Sequence, residues 1–239
     1  MRRNQTIALI AIFAALNAVC DSIAGLPQLS SGVWYGWIFL IEPLNGIVLG
    51  PLAGFLSTLL GAMIGHSVYL RGEAPLYEYL FTLGAPIGAM ISGLLYQRRW
   101  KLTFIYFTVL LVAYFVTPIA QALPIWGIWN TLLAFAVLCF LGIFSIRLGD
   151  KWLSEKIYAL PIFAFIGLEA DILFRIFLFI PCQTYQLFYG FTVETISAIW
   201  IAAAFITPIQ VAISMAMTTV VGPRILRLSP WKQRVWPPE

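Results

Sequence analysis

Eight apolar runs, most of them close to bilayer length, divide this chain and leave it one environment to fold in. They cover roughly 6–26, 34–49, 52–70, 76–96, 102–119, 125–146, 158–180 and 193–221. Crossing a hydrocarbon core of about 30 Å takes about 20 apolar residues in a helix. Lipid offers no partner to a bare peptide group, so the segments that cross it are helices. A soluble helical protein needs polar helix faces, and these runs have none. With 61 % hydrophobic and 10 % charged residues, the composition also lies outside the soluble range. The expectation is an all-α, polytopic transmembrane bundle of about 6–8 helices, a single integral membrane domain over residues 1–239.

The polar breaks set the expected orientation. Basic residues cluster at 1–3, 97–101, 147–156 and 223–234, in alternate gaps between the runs. The breaks near 27–33, 120–124 and 181–192 hold no Lys or Arg. Cytoplasmic loops are the basic ones, so both termini are expected inside, and residues 222–239 form a basic cytoplasmic tail. Arg71, beside Glu73, runs against the bias. The net charge of +4 is thereby assigned to topology and not to nucleic acid. The start, MRRNQTIALIAIFAALNAVC, resembles a signal peptide but lacks a small-x-small cleavage site; it reads as a retained first helix. The second and third runs, joined at Gly50-Pro51, form either two crossings or one broken re-entrant pair. Cys20, Cys139 and Cys182 have no CxxC spacing and read as ordinary buried residues, with no metal and no cofactor expected.

Within the seventh run, GLEADILFR places Glu169, Asp171 and Arg175 where a charge costs at least ~2.5–3.5 kcal/mol. Asp171 and Arg175 are four apart and share a helix face. Glu169 points roughly 200° round from Asp171 and needs another partner. Two readings stand: a structural ion pair with Glu169 bonded to a neighbouring helix, or groups lining a substrate pocket. His66, Glu78, Asn130, Trp34 and Glu194 lie toward the outer ends of their runs, with Tyr35, Trp37, Tyr79, Gln121, Gln183, Tyr185 and Gln186. Together they have the make-up of an aromatic-walled small-molecule cup. Against this, the Trp and Tyr residues also fit an interfacial belt, and His66 a hydrogen-bonded structural role. Glu42 and Asn45, beside Pro43, either satisfy a broken backbone or respond to substrate. Carboxylates outnumber cations among these groups, which favours a ligand with an amine or cationic ring.

In the first run Ala8, Ala11, Ala15 and Ala18 recur at spacings of three and four and form one smooth stripe. Ala11-xxx-Ala15, Ala14-xxx-Ala18, Gly50-xxx-Gly54 and Gly61-xxx-Gly65 are close-packing pairs. Over residues 6–99, IALIAIFAALNAV, IEPLNGIVLGPLAGFLSTLLGAMIG and GAPIGAMISGLLYQRR together resemble the substrate-binding S components of energy-coupling-factor transporters. The resemblance implies capture of a vitamin-like molecule from outside, under a loop at 25–36. It also implies docking of the alanine stripe on a membrane T component that carries two ATPase subunits, and inward release. The stripe otherwise packs only within this chain. Residues 102–221 are the candidate substrate-binding half, and six helices rather than eight is usual for that family.

Two other classes are weighed. The glutamate and arginine of the seventh run faintly resemble those of membrane-embedded proteases, but one histidine in the whole chain cannot build a His-rich zinc site. No enzyme is expected. A proton-coupled carrier using Glu169 or Asp171 is the stronger rival, though the halves show no convincing repeat. No GxxxxGK[ST] loop occurs, so ATP energy would come from a partner.

Overall fold

The computed structural model describes residues 3–25, 34, 36–69, 75–148 and 156–228. Its helices in chain order are α1 (Arg3–Ser22), α2 (Glu42–Leu49), α3 (Pro51–Val68), α4 (Pro75–Phe81), α5 (Gly84–Tyr96), α6 (Trp100–Val116), α7 (Pro118–Ala122), α8 (Trp129–Leu148), α9 (Lys156–Phe179), α10 (Thr184–Leu187) and α11 (Val193–Leu228). Two 3-10 turns, Ile38–Leu40 and Ile125–Ile128, lead into α2 and α8. No strand occurs among the described residues. The fold is an all-α bundle with five helices long and apolar enough to cross a membrane, plus the shorter apolar α6. α9 has the length, at 24 residues, and also carries Glu169, Asp171 and Arg175.

Side-chain neighbours fix the helix directions. Gly61 lies against Ala14 and Asn17, and Gly65 against Ala18 and Asp21, so α1 and α3 run parallel. The chain between them must therefore return. It does so from Trp37, whose N–H donates to the Cys20 carbonyl at 3.0 Å, down to Gly50, which neighbours Gln97 at the end of α5. α2 itself is only eight residues, about 12 Å, less than half a hydrocarbon core. The expected helix over 34–49 is thus a 3-10 turn and a short helix, supported by its neighbours. The turn at Gly50 has φ 88°, a conformation that costs an L residue and not glycine, and Pro51 starts α3 where its missing N–H is harmless.

The remaining directions alternate. Gly84 meets Asp171 and Ser92 meets Phe163, so α5 and α9 are antiparallel. Trp100 packs on Gly142 and Phe104 on Phe135, which makes α6 and α8 antiparallel. Leu160 meets Gly222, so α11 runs against α9. Among the described residues the chain thus runs along the bundle eight times. Arg3, the Gln97–Lys101 turn, Arg147 and Arg227 share one end.

Three boundaries differ from expectation. The fourth run breaks at Thr82-Leu83 into α4 and α5. Residues 120–124, expected as a turn, are partly the helix α7, begun by Pro118 at its first position. α11 continues through Pro223 to Leu228 instead of ending near Val221. Residues 26–33, 70–74, 149–155 and 229–239, with Arg71, Glu73, Tyr35 and most of the basic tail, lie outside the described residues.

The small-residue pairs meet each other. Ala14 and Ala18 face Gly61 and Gly65, and Gly46 sits against Ala89 and Gly93. A Cβ on Gly46 would overlap the Ala89 backbone oxygen, and neither helix can yield by turning a side chain. Gly46→Ala is expected to fall at the top of the roughly 1–3 kcal/mol that overpacking costs. Gly222→Ala, whose nearest neighbour is the flexible Leu160 side chain at 3.1 Å, is near neutral. Thermal unfolding in detergent ranks the two; equal midpoints would refute tight contact between α2 and α5.

Candidate functional site

The polar face of α1 leads into the site. Beyond Ala14, the same face presents Asn17, Ala18 and Asp21 to α3. Asn17 Oδ1 accepts from Asn45 Nδ2 at 2.9 Å, and Asn45 Nδ2 also donates to Thr58 Oγ1 at 2.7 Å. This buried amide thus ties α1, α2 and α3 together. One turn further, Gly65 leaves room for Asp21. Asp21 borders a cavity of about 30 Å³ with Ile38, Ala62, His66, Glu78, Phe81, Thr82, Ala85 and Arg175. That is room for about two water molecules. The cavity lies toward the end of the bundle opposite the basic turns.

Its walls are organised by aromatic and hydroxyl contacts. His66, 2 % exposed, meets the Tyr79 ring edge-on with centroids 4.7 Å apart, and Tyr79 shares a hydrogen bond with Ser67 at 2.8 Å. Tyr189, after α10, donates its hydroxyl to Glu78 Oε1. Thr82 caps back to the Tyr79 carbonyl at 2.7 Å.

α9 supplies the charge. Arg175 Nε donates to Asp171 Oδ1 at 2.6 Å, and Nη2 to Oδ2 at 3.1 Å, a fork that suits a carboxylate. The Arg175 side chain is 38 % exposed against 7 % for Asp171, so the guanidinium reaches the cavity while its partner stays packed. Glycines on α5 make the seats: a Cβ on Gly84 would overlap Asp171, and one on Gly88 would overlap the Glu42 carboxyl. Glu42 is wholly buried, neither of its oxygens has a hydrogen-bond partner, and it feels the charges of both Asp171 and Arg175.

The structure divides the residues grouped from sequence. His66, Glu78 and Arg175 meet at the cavity, with Asp171 behind Arg175. Glu169 and Asn130 do not join them. Glu169 accepts from Thr131 Oγ1 at 2.7 Å and Asn130 donates to Thr207 at 2.8 Å, on the face of α9 turned to α8 and α11. Trp34 is 7 % exposed in an aromatic cluster with Trp37 and Phe39 against Leu168 and Val211, off the cavity wall. Glu194 is exposed at the start of α11, and Gln121, Gln183 and Gln186 are exposed as well. None of these four lines the cavity. Asp21 was missed, although it follows Asn17 by four residues on one helix face. Ala8, Ala11 and Ala15 are exposed, and Ala18 alone of the stripe is partly covered, by α3. Among the described residues, no group of three or more His, Cys, Asp or Glu converges as metal ligands.

The ion pair makes a signed prediction. Removing one partner of a packed pair strands the other, while removing both does not. Asp171→Asn is expected to destabilise by more than Asp171→Asn with Arg175→Gln together. Unfolding midpoints that fall additively would show that the two side chains do not interact. No family model, curated protein or solved structure matches this chain.

Proposed function

We propose that this chain is the substrate-binding membrane subunit of an ATP-driven uptake system of the energy-coupling-factor type, taking up a small vitamin-like molecule. The observation that carries the reading is the polar cavity between α1, α3, α4, α5 and α9. Five polar residues border it, at the end away from the basic turns. The positive-inside bias puts those turns and both termini in the cytoplasm of a cell membrane and the cavity toward the outside. Asp21 and Glu78 beside Arg175 suit a ligand that carries both a basic and an acidic or carbonyl group.

A cavity of about 30 Å³ must widen to admit such a molecule. Two features border it without belonging to a long helix. One is the seven-residue α4. The other is the 3-10 turn Ile38–Leu40, whose Ile38 lines the cavity and which follows Trp37, the donor to the Ala24 carbonyl at 3.0 Å. In this mechanism opening there admits the ligand from outside. Release inward follows contact of the whole subunit with a T component and its two ATPases along the exposed Ala8, Ala11 and Ala15.

Mass spectrometry of small molecules released from the protein purified in mild detergent is the direct test. A stoichiometric compound is expected, and it should be lost or reduced at least tenfold in Arg175→Gln. Ala11→Leu with Ala15→Leu should keep that compound bound and abolish uptake in cells that express the partners. Uptake that survives the double substitution removes the docking role, and uptake without any ATPase favours the proton-coupled carrier.

A further inference from the structure

A second polar centre lies on the other face of α9, and nothing in the uptake reading uses it. Glu169 is wholly buried. Its Oε2 accepts the Thr131 hydroxyl at 2.7 Å, and its Oε1 has no hydrogen-bond partner. Asn130 lies against this carboxyl, donates Nδ2 to Thr207 Oγ1 at 2.8 Å, and leaves Oδ1 without a partner. Thr207 gives its own proton to the Ala203 carbonyl at 2.9 Å. Both hydroxyl hydrogens are therefore spent; the second amide hydrogen of Asn130 is the one neutral donor left beside Glu169, and the other free positions are acceptor oxygens.

Charge makes the same point whichever way the Asn130 amide is turned. Neutral dipoles are all that Glu169 touches, and a bare carboxylate in a water-free interior costs several kcal/mol. The ionisable groups around it do not compensate. Asp171 and Arg175 bond each other on the opposite face of α9. Glu42 on α2 is a further acid, and Tyr106 on α6 gives its hydroxyl to the Ala170 carbonyl at 2.8 Å. α8 and α11 present Asn130, Thr131 and Thr207, none of them ionisable.

We propose that Glu169, Asn130, Thr131 and Thr207 form a buried site for one monovalent cation, sodium or a proton, in the seam between α8, α9 and α11. One carboxylate with neutral hydroxyl and amide oxygens matches a single positive charge; a divalent ion would want a second carboxylate. As a proton site, Oε1 takes a proton from water and becomes a donor. As a sodium site, the same lone pairs bind the ion directly. Either way the bound charge fastens three helices at one point, independently of what occupies the outer cavity.

The test uses the full-length protein in detergent, with sodium exchanged for choline at constant ionic strength. In the sodium arm, the wild-type unfolding midpoint rises with sodium, and Glu169→Gln abolishes that rise while Glu194→Gln keeps it. In the proton arm, infrared spectra at neutral pH show protonated-carboxyl absorption in the wild type and in Glu194→Gln that loses one carboxyl's intensity in Glu169→Gln, the wholly buried Glu42 contributing equally to all three. If Glu169→Gln does not fold, Thr131→Val serves: the sodium rise weakens at least severalfold, or the band shifts in frequency. A wild type with neither sodium response nor protonated-carboxyl band overturns the proposal, as does a response or band unchanged in Glu169→Gln or Thr131→Val.

Discussion

The architecture depends on backbone contact around α2. A helix of eight residues cannot cross a bilayer on its own, yet α1 and α3 run parallel and the chain must come back between them. The bundle meets this by pressing α2 against α5 and α3 at glycine and alanine positions, Gly46 on Ala89 and Gly54 on Gly46. In lipid there is no hydrophobic gain from helix contact, so close approach and hydrogen bonds have to supply the attraction. The Asn45 amide adds two such bonds at the same level. Because α2 is held this way, Glu42 at its first turn is delivered beside Asp171 and Arg175, deep in the bundle.

The bundle's charges are then ordered by two sides of one helix. On one side of α9, Asp171 and Arg175 neutralise each other, and Arg175 keeps an edge free for the cavity. On the other, Glu169 has hydroxyl and amide company only. The three-charge stretch therefore resolves into two centres: one holds a fixed counter-charge, the other has only neutral dipoles beside it. Sequence spacing already implied the split, since residues two apart on a helix cannot share a face.

Much of the fold was legible because membrane helices advertise their length in apolar residues. The pairs Ala14-xxx-Ala18 and Gly61-xxx-Gly65 were legible as close-packing faces, but that they meet each other is seen only in the structure. What was not legible is phase in short elements and loops. Gln121 and Gln186 lie in helices of five and four residues, and over about a turn the sequence carries no periodic signal to say which way they face. Glu42 illustrates the opposite difficulty. Its burial was readable; its lack of any donor was not, because that depends on three other helices bringing none.

The alanine stripe can be judged by what lipid does and does not reward. Acyl chains accept leucine and alanine alike, so an outward face has no physical reason to stay smooth. Ala8, Ala11 and Ala15 are nevertheless exposed beside Ile7, Ile12 and Leu16, while Ala14 and Ala18 on the neighbouring face are used against α3. α1 thus has two small-residue faces, and only the one with Ala14 and Ala18 packs on α3. The second face lies on the same helix that carries Asp21 to the cavity, so under the proposed uptake reading contact of a partner helix there would shift one wall of the cavity. Asp21 and the stripe lie on one rigid element, so tilting α1 to meet a partner moves the carboxylate relative to His66 and Arg175. Ligand release would then be coupled to docking by geometry, without a separate relay.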